Sequence, residues 1–311
     1  MDTTRQFQGK KILLNYWRLN MYDIIIIGAG PAGLTAAIYA LRSNKKVLVI
    51  EAKSYGGQII NAHKIDNYPG LPHISGFEYA TKVYEQAKEL GAEIVYETVT
   101  NITNEKEVVT NKNTYQTKAI IIATGALNKK LNLPNEKELV GKGVSYCATC
   151  DGHFYKGKIV AVNGSESHAL SDALYLTDLA SKVYLITDKD DFKENAKVVD
   201  ELKNKNVEII LNSKITSLNG VDKLESITLN NDREISLDGL FIAIGQTPQN
   251  SVFSNLVDIS DNGYIISPDG VHTKTEGVYV AGDAREKVLR QLTTAVSDGS
   301  IAAVTAIKEM N

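Results

Sequence analysis

The chain has little of what identifies a secreted or a membrane protein. It contains only two cysteines among 311 residues, so it can build neither a network of structural disulfides nor a four-cysteine zinc site. No apolar run approaches the roughly 18 residues that cross a bilayer. Residues 1–20 hold only the short apolar run 12–14, too little for a signal peptide. We therefore expect a cytoplasmic protein that does not enter the membrane.

Positive charge is also sparse. Lys and Arg number 34 against 37 for Asp and Glu, a formal net charge of -3, so nothing favours a nucleic-acid partner. No arginine lies between Arg42 and Arg233, so this stretch cannot bind a phosphate through a bidentate guanidinium. The composition, 43% hydrophobic and 23% charged, is that of a globular protein, and the length predicts two domains.

The first distinct pattern is a strand, a glycine-rich turn and a helix. Residues 22–27 are an apolar run, apolar residues recur at helical spacing over 31–42, and 47–50 is a second buried strand. The turn has the G-x-G-x-x-G spacing of dinucleotide sites: Gly28, Ala29, Gly30, Pro31, Ala32, Gly33. Glu51 ends the second strand, where a carboxylate can bind ribose hydroxyls. The pattern predicts a dinucleotide site without distinguishing FAD from NAD.

The rest of the chain repeats this organisation. We predict a helix at 76–90, an antiparallel hairpin segment over 93–118 and a strand at 119–123. A second βαβ unit and later elements follow at 158–163, 167–180, 182–187, 207–211, 226–229, 240–244, 278–280 and 289–309. Glycine breaks follow apolar strands at Gly125 and Gly245. This indicates an α/β fold of two Rossmann-like nucleotide-binding domains, one inserted into the other. The predicted parts are an extension 1–20, an outer domain 21–125 with 246–311, and an inserted domain 126–245.

The two cysteines, Cys147 and Cys150, form one Cys-x-x-Cys pair, which Asp151 follows directly. Such a pair is either half of a metal site or a redox dithiol. No further cysteine exists, and His153 and His168 do not have metal-ligand spacing. The pattern therefore favours a redox dithiol over zinc or two structural thiols, and we expect no metal.

Residues 147–156, CATCDGHFYK, are similar to the active-site segment of the low-molecular-weight thioredoxin reductases. The strand that ends in Ala281, Gly282 and Asp283 resembles that of flavoprotein disulfide reductases, in which this aspartate bonds the flavin ribityl chain. The resemblance extends from Met21 to the C-terminus. It implies that FAD is bound by the first turn, by Glu51 and by the following residues: Gly57, Gln58, Asn67, Ala123, Thr124, Gly125, Gly282, Asp283, Arg290 and Gln291.

The same resemblance implies how the dithiol works. The inserted domain would rotate about Gly125 and Gly245, so that the dithiol alternates between the flavin and thioredoxin. Cys150 would face the flavin, Cys147 would attack the substrate disulfide, and Asp151 would carry protons. A helix-capping or turn role is the alternative for Asp151. The family also implies a homodimer.

The second nucleotide turn departs from the family. It reads Gly164-Ser165-Glu166-Ser167-His168-Ala169, so a glutamate replaces the glycine beside the pyrophosphate. The basic residues expected for the 2′-phosphate, His-Arg-Arg, are replaced by Thr187-Asp188-Lys189, with Asp190 and Asp191 beyond. These changes predict that NADPH is not the electron donor. A nonstandard nucleotide pose stays open as the alternative, and Asp188 leaves NADH conceivable.

A flavin and dithiol without a pyridine nucleotide resemble the ferredoxin-dependent flavin thioredoxin reductases of anaerobic bacteria. The expected activity is electron transport from ferredoxin through FAD and the dithiol to thioredoxin. Docking of an acidic ferredoxin is expected on a basic surface that includes some of Lys129, Lys130, Lys142, Arg285, Lys287 and Arg290. The alternatives are an NADPH- or NADH-dependent thioredoxin reductase, and a flavin-binding redox sensor or interaction protein.

Overall fold

The computed structural model describes residues 21–62, 64–192, 196–205 and 207–310. The predicted extension 1–20 lies outside the described residues. The chain divides into two compact units. The first comprises the described residues of 1–64, 74–127 and 248–311, and the second comprises those of 65–73 and 128–247.

The strands, in chain order, are β1 Tyr22–Ile27, β2 Val47–Glu51, β3 Glu93–Tyr96, β4 Val99–Ile102, β5 Glu107–Thr110, β6 Thr114–Ile122, β7 Ala126–Asn128, β8 Val144–Ser145, β9 Ile159–Asn163, β10 Lys182–Ile186, β11 Val207–Ile210, β12 Ile215–Asn219, β13 Ser226–Leu229, β14 Glu234–Ser236, β15 Gly239–Ile242, β16 Gln246–Pro248 and β17 Val278–Val280. The α-helices are α1 Pro31–Arg42, α2 Gly76–Glu89, α3 Glu136–Leu139, α4 Ala148–Asp151, α5 Ser167–Thr177, α6 Ala196–Lys203 and α7 Leu292–Glu309. Short 3-10 turns lie at Gly57–Asn61, Gly152–Tyr155, Ser251–Phe253 and Gly282–Ala284.

The first unit is built on a seven-stranded sheet in the order β3-β2-β1-β6-β5-β4, with β17 also paired to β6. Strands β2, β1, β6 and β17 run parallel, and Ile24 of β1 lies between Val47 and Ala119. Successive isoleucines of β1 enter two different apolar clusters: Ile24 and Ile26 lie in one, Ile25 and Ile27 in the other. Burial on both faces explains why this strand is a continuous apolar run.

The antiparallel segment predicted over 93–118 is confirmed in part. Strands β4 and β5 and the start of β6 pair antiparallel, whereas β3 pairs parallel with β2. Strand β6 is continuous through Lys118, and its first residues pair antiparallel with β5 while its last residues pair with β1 and β17. A strand that changes neighbours along its length has no single hydrophobic pattern, which is why the sequence suggested two elements.

The second unit contains a five-stranded parallel sheet, β11-β10-β9-β15-β8, and an antiparallel sheet, β12-β13-β14. β16 pairs with β7. The sequence did not predict helix α6. The closing helix begins at Leu292 and not at residue 289, because Gln291 and Thr294 form a capping box at its start. The α/β architecture predicted from the sequence is confirmed. None of the helices in the described ranges is both long and apolar enough to traverse a bilayer.

Candidate active site and nucleotide sites

The glycine-rich turn between β1 and α1 has three glycines with three different functions. Gly28 has φ of +108°, which L side chains rarely adopt. A Cβ on Gly33 would lie 1.9 Å from the Gly28 carbonyl oxygen, so only glycine allows this packing. A Cβ on Gly30 would meet nothing closer than the Gly57 Cα at 4.0 Å. Gly30 is therefore not needed for packing and leaves room above the start of α1, where a pyrophosphate binds in such folds.

Glu51 holds the turn as well as lying beside it. Its Oε2 accepts a hydrogen bond from the Ala29 amide and its Oε1 accepts one from the Lys53 amide, each at 2.8 Å. The sequence did not predict this backbone role. A carboxylate has about four lone-pair sites. Glu51 therefore keeps acceptor capacity for the ribose hydroxyls that the sequence assigns to it.

Two further predicted segments lie in the same unit. A Cβ on Gly57 would lie 3.3 Å from the Gly30 Cα, so the turn that contains Gly57 and Gln58 abuts the glycine-rich turn. Ala123, Thr124 and Gly125 follow β6 in the chain. The Thr124 hydroxyl lies 3.0 Å from Asn250 Oδ1. Asn250 is 1% exposed, and its amide donates to the carbonyls of Gly263 and Ala284. Sequence reasoning missed Asn250, which is 126 residues from its hydroxyl partner.

Asp283, whose side chain is partly exposed, belongs to a network of charged side chains centred on buried Lys287 and Asp298. The Lys287 ammonium lies 3.0 Å from both Asp283 Oδ1 and Asp298 Oδ2, and Arg285 pairs with Asp298 at 3.0 Å. Asp298 also accepts from the Gly282 amide at 3.1 Å. The Lys287 side chain is only 5% exposed. Asp298 thus engages both Arg285 and Lys287, two of the six residues from which a basic docking surface was expected to draw. Lys129, Lys130 and Lys142 are exposed, as that surface requires.

The residues of the first unit fit FAD. Arg290 Nε is buried without a hydrogen-bond partner, and Asp283 Oδ1 makes none beyond its ion pair with Lys287. Buried polar atoms that lack such partners are rare in folded proteins, and a bound polar group is one explanation for them. The Arg290 guanidinium lies 3.9 Å from the centre of the Tyr264 ring. Gln291 caps α7. Asn67 differs from the other predicted flavin contacts, because its segment 65–73 groups with the second unit.

The two cysteines of the second unit form a disulfide, with their Cα atoms 5.3 Å apart. Cys147 lies at the start of the short helix α4, and its Sγ accepts from the Cys150 amide at 3.2 Å. The Thr149 hydroxyl lies 3.5 Å from the same sulfur. Both cysteines are within reach of each other without rearrangement, as a reversible disulfide requires.

Asp151 ends α4 and is bonded to a residue that the sequence analysis missed. The Ser145 hydroxyl donates to Asp151 Oδ2 at 2.6 Å and accepts from the Cys147 amide at 3.0 Å. The Asp151 side chain makes no capping hydrogen bond to the 3-10 turn that follows it. Burial raises the pKa of Tyr155 to about 12, and the negative charges of Asp151 and Asp238 contribute to the rise. The negative charge of the Asp151 carboxylate thus helps to raise the pKa of Tyr155.

The second nucleotide turn, residues 164–169, has the packing of a nucleotide-binding turn but lacks the space that a glycine would leave for the pyrophosphate. A Cβ on Gly164 would lie 2.3 Å from the Ala243 carbonyl oxygen, so this glycine serves packing. Glu166 is the N-cap residue of α5, makes no side-chain capping bond and is exposed. Asp188 and Lys189 are also exposed after β10, whereas Thr187 is buried. A carboxylate therefore stands at the helix end where phosphates bind in a working site.

Each of the two histidines near the dithiol pairs with an aspartate. His153 Nε2 lies 3.1 Å from Asp66 Oδ2, and His168 Nε2 lies 3.5 Å from Asp172 Oδ2. Burial raises the pKa of Asp172 to about 6, and His168 opposes part of this rise. Within the described residues no three metal-binding side chains come together.

Known proteins resemble this chain in both sequence and structure. The profile of the family described as Pyridine nucleotide-disulphide oxidoreductase matches residues 22–299. A thioredoxin reductase of Bacillus subtilis (strain 168) is 44% identical over 298 residues, 91% of this chain and 93% of that protein. The crystal structure of thioredoxin reductase from Streptococcus pyogenes has a TM-score of 0.89 and 38% identity, covering 94% of this chain and 98% of its own. A ferredoxin-flavin thioredoxin reductase from Clostridium acetobutylicum has a TM-score of 0.51 and 34% identity, covering 93% and 98% respectively. The chain therefore belongs to the pyridine nucleotide-disulphide oxidoreductase family and is an oxidoreductase of the thioredoxin reductase type.

Proposed function

We propose that this protein reduces the disulfide of thioredoxin through bound FAD and the Cys147–Cys150 dithiol, with electrons that come from reduced ferredoxin. The observation that carries the dithiol chemistry is the Cys147–Cys150 disulfide on α4, next to a carboxylate held by Ser145. The names of the relatives, thioredoxin reductase in two organisms, support thioredoxin as the substrate.

The exchange with thioredoxin follows from the chemistry of the two thiols. The Cys147 thiolate attacks one sulfur of the partner disulfide, forming a mixed disulfide and releasing one partner thiolate. The Cys150 thiolate then attacks Cys147 Sγ, which releases the second partner thiolate and closes the Cys147–Cys150 bond. Two protons pass from the dithiol to the partner, and we assign their transfer to Asp151.

Residues of the first unit would bind the flavin. The glycine-rich turn would bind the pyrophosphate, Glu51 the ribose, and Asp283 and Arg290 the remainder. FAD, when bound, links one-electron donors to the two-electron chemistry of a dithiol.

The proposal of ferredoxin as donor depends on the second nucleotide turn. Exposed Glu166 at the start of α5 repels phosphate, and no arginine lies in this unit before Arg233. The ferredoxin-flavin enzyme of Clostridium acetobutylicum, which this chain matches over nearly its full length, supports this donor. The second candidate is a pyridine-nucleotide thioredoxin reductase, which the family description itself favours.

The test follows the flavin absorbance of the purified protein under anaerobic conditions. NADPH, NADH and reduced ferredoxin are added separately, with oxidised thioredoxin present, and new thiols on thioredoxin are counted. We expect bleaching and thiol formation with ferredoxin alone. Rapid bleaching by micromolar NADPH would instead establish the second candidate.

Two variants make the test sharper. Cys150→Ser should still bleach but form no thioredoxin thiols. Glu166→Gly, compared with Glu166→Gln, should improve any residual NADPH response, because it removes both the charge and the side chain. If the flavin is reduced but wild type reduces no thioredoxin, the protein is a redox sensor and not a reductase.

A further inference from the structure

The hydroxyl of Ser145 is buried, and its two shortest hydrogen bonds are made with Asp151 and Cys147. It is 4% exposed and ends β8, whose partner β15 aligns Phe241 with it. A hydroxyl has one proton to donate. Asp151 Oδ2 at 2.6 Å is a better acceptor than the Cys147 carbonyl at 3.4 Å, because it is nearer and charged. The proton of Ser145 therefore points to the carboxylate, while its oxygen accepts from the Cys147 amide.

We propose that Ser145 is a positioning residue for thiol–disulfide exchange, which fixes the Asp151 carboxylate relative to the backbone of the attacking cysteine and favours its ionised form. The proposal rests on the proposed function. The sheet holds the Ser145 backbone, so its hydroxyl is a fixed point to which both Cys147 and Asp151 are bound. Its removal breaks this link between the carboxylate and the Cys147 backbone.

The effect on protonation has a definite sign. A hydrogen bond donated to a carboxylate stabilises its charged form, so loss of this bond favours the protonated acid. The charges of Asp151 and Asp238 both act on Tyr155, and the two cysteines lie one and four residues before Asp151.

The consequence concerns the transfer of the thiol proton. Asp151 accepts this proton from Cys147 as the sulfur attacks, and returns it to the departing partner thiolate. Only the ionised carboxylate can accept it. Exchange should therefore be slower when Ser145 is lost, because less of the carboxylate is both ionised and correctly placed.

The experiment uses the holoenzyme, reduced with excess dithiothreitol and then desalted. A single turnover with bis(2-hydroxyethyl) disulfide is followed from pH 5 to 9 by acid quench and mass spectrometry of the protein disulfide. This readout needs neither thioredoxin nor an electron donor, so it is separate from the test of the proposed function. The proteins compared are wild type, Ser145→Ala, Ser145→Thr, Asp151→Asn and the Ser145→Ala/Asp151→Asn double variant.

We expect Ser145→Ala to slow exchange about tenfold, the size of effect expected from loss of a hydrogen bond to a charged group. Ser145→Thr keeps the hydroxyl and should return the rate toward that of wild type. Ser145→Ala should add nothing in the Asp151→Asn background, because the acceptor charge is gone.

Two results would overturn the proposal. One is a Ser145→Ala profile that superimposes on wild type. The other is a loss of rate on Ser145→Ala substitution that is equal in the wild-type and Asp151→Asn backgrounds, which would mean that Ser145 supports the fold alone. If the threonine variant loses flavin or unfolds early because its extra methyl is crowded, the double-variant comparison decides by itself.

Discussion

Lys287 should be a large contributor to the stability of the first unit. Its ammonium lies 3.0 Å from carboxylate oxygens of both Asp283 and Asp298, and its side chain is 5% exposed. Lys287→Met keeps most of the volume of the side chain and removes the charge. Two carboxylates would then be left close together with less compensation.

The expected loss can be worked from the remaining partners. Removing one member of a buried ion pair costs about 3–5 kcal/mol. Asp298 keeps Arg285 and the Gly282 amide, so we expect the lower end of that range. At roughly 2 °C per kcal/mol for a chain of this size, a loss of about 3 kcal/mol lowers the unfolding temperature by about 6 °C.

The matched control is Lys82→Met. Lys82 pairs with Glu78 at 2.8 Å, but the two side chains are 61% and 53% exposed. Exposed pairs are worth about 0–1 kcal/mol. Thermal unfolding followed by circular dichroism, with the FAD content held equal, compares the two variants. Equal falls in unfolding temperature would refute the reasoning, because burial would then not determine the cost.

Two further predictions follow from the same unit. Gly30→Ala should fold normally but bind FAD roughly tenfold more weakly in titrations of the apoprotein, a loss of about 1.4 kcal/mol. Gly33→Ala should fail to fold, because its Cβ would meet a carbonyl oxygen at 1.9 Å. Equal FAD affinity for Gly30→Ala and wild type would contradict the assignment of Gly30 to the pyrophosphate site. Hydrogen bonds to Asp269 and Glu309 raise the pKa of His272, so its stabilising contribution is complete below the ordinary value of about 6.5 and declines as pH rises through the raised value. The gap in unfolding temperature between wild type and His272→Gln should therefore be widest near about pH 6 and narrow by about pH 9, and a gap that does not change with pH would argue against this.

Sequence patterns predicted the elements whose burial is uniform. Strands β1, β2 and β9 are apolar on both faces, so a continuous run reveals them without knowledge of their neighbours. The pattern failed at β6, which has antiparallel and parallel partners at its two ends. It also failed at α6, because a short helix on the surface carries too few apolar residues to be distinctive.

The candidate site shows the same division. The glycine-rich turn, Glu51, and the Cys-x-x-Cys pair with its aspartate are local in sequence, so their spacing alone identifies them. Asn250, Ser145 and Asp298 are buried polar residues with no local signal. Their importance comes from partners that folding brings to them, such as Thr124 for Asn250.

By itself, then, the sequence determined the α/β fold, the glycine-rich nucleotide turn and the dithiol chemistry. These depend on backbone freedom, hydrophobic period and thiol reactivity, which are properties of residue type and spacing. Only the tertiary structure decided that Lys287 is a buried ion-pair partner and that Ser145 donates a hydrogen bond to Asp151. The reason is physical: the effect of a side chain's charge or hydrogen bond depends on the groups packed against it, and those groups come from distant parts of the chain.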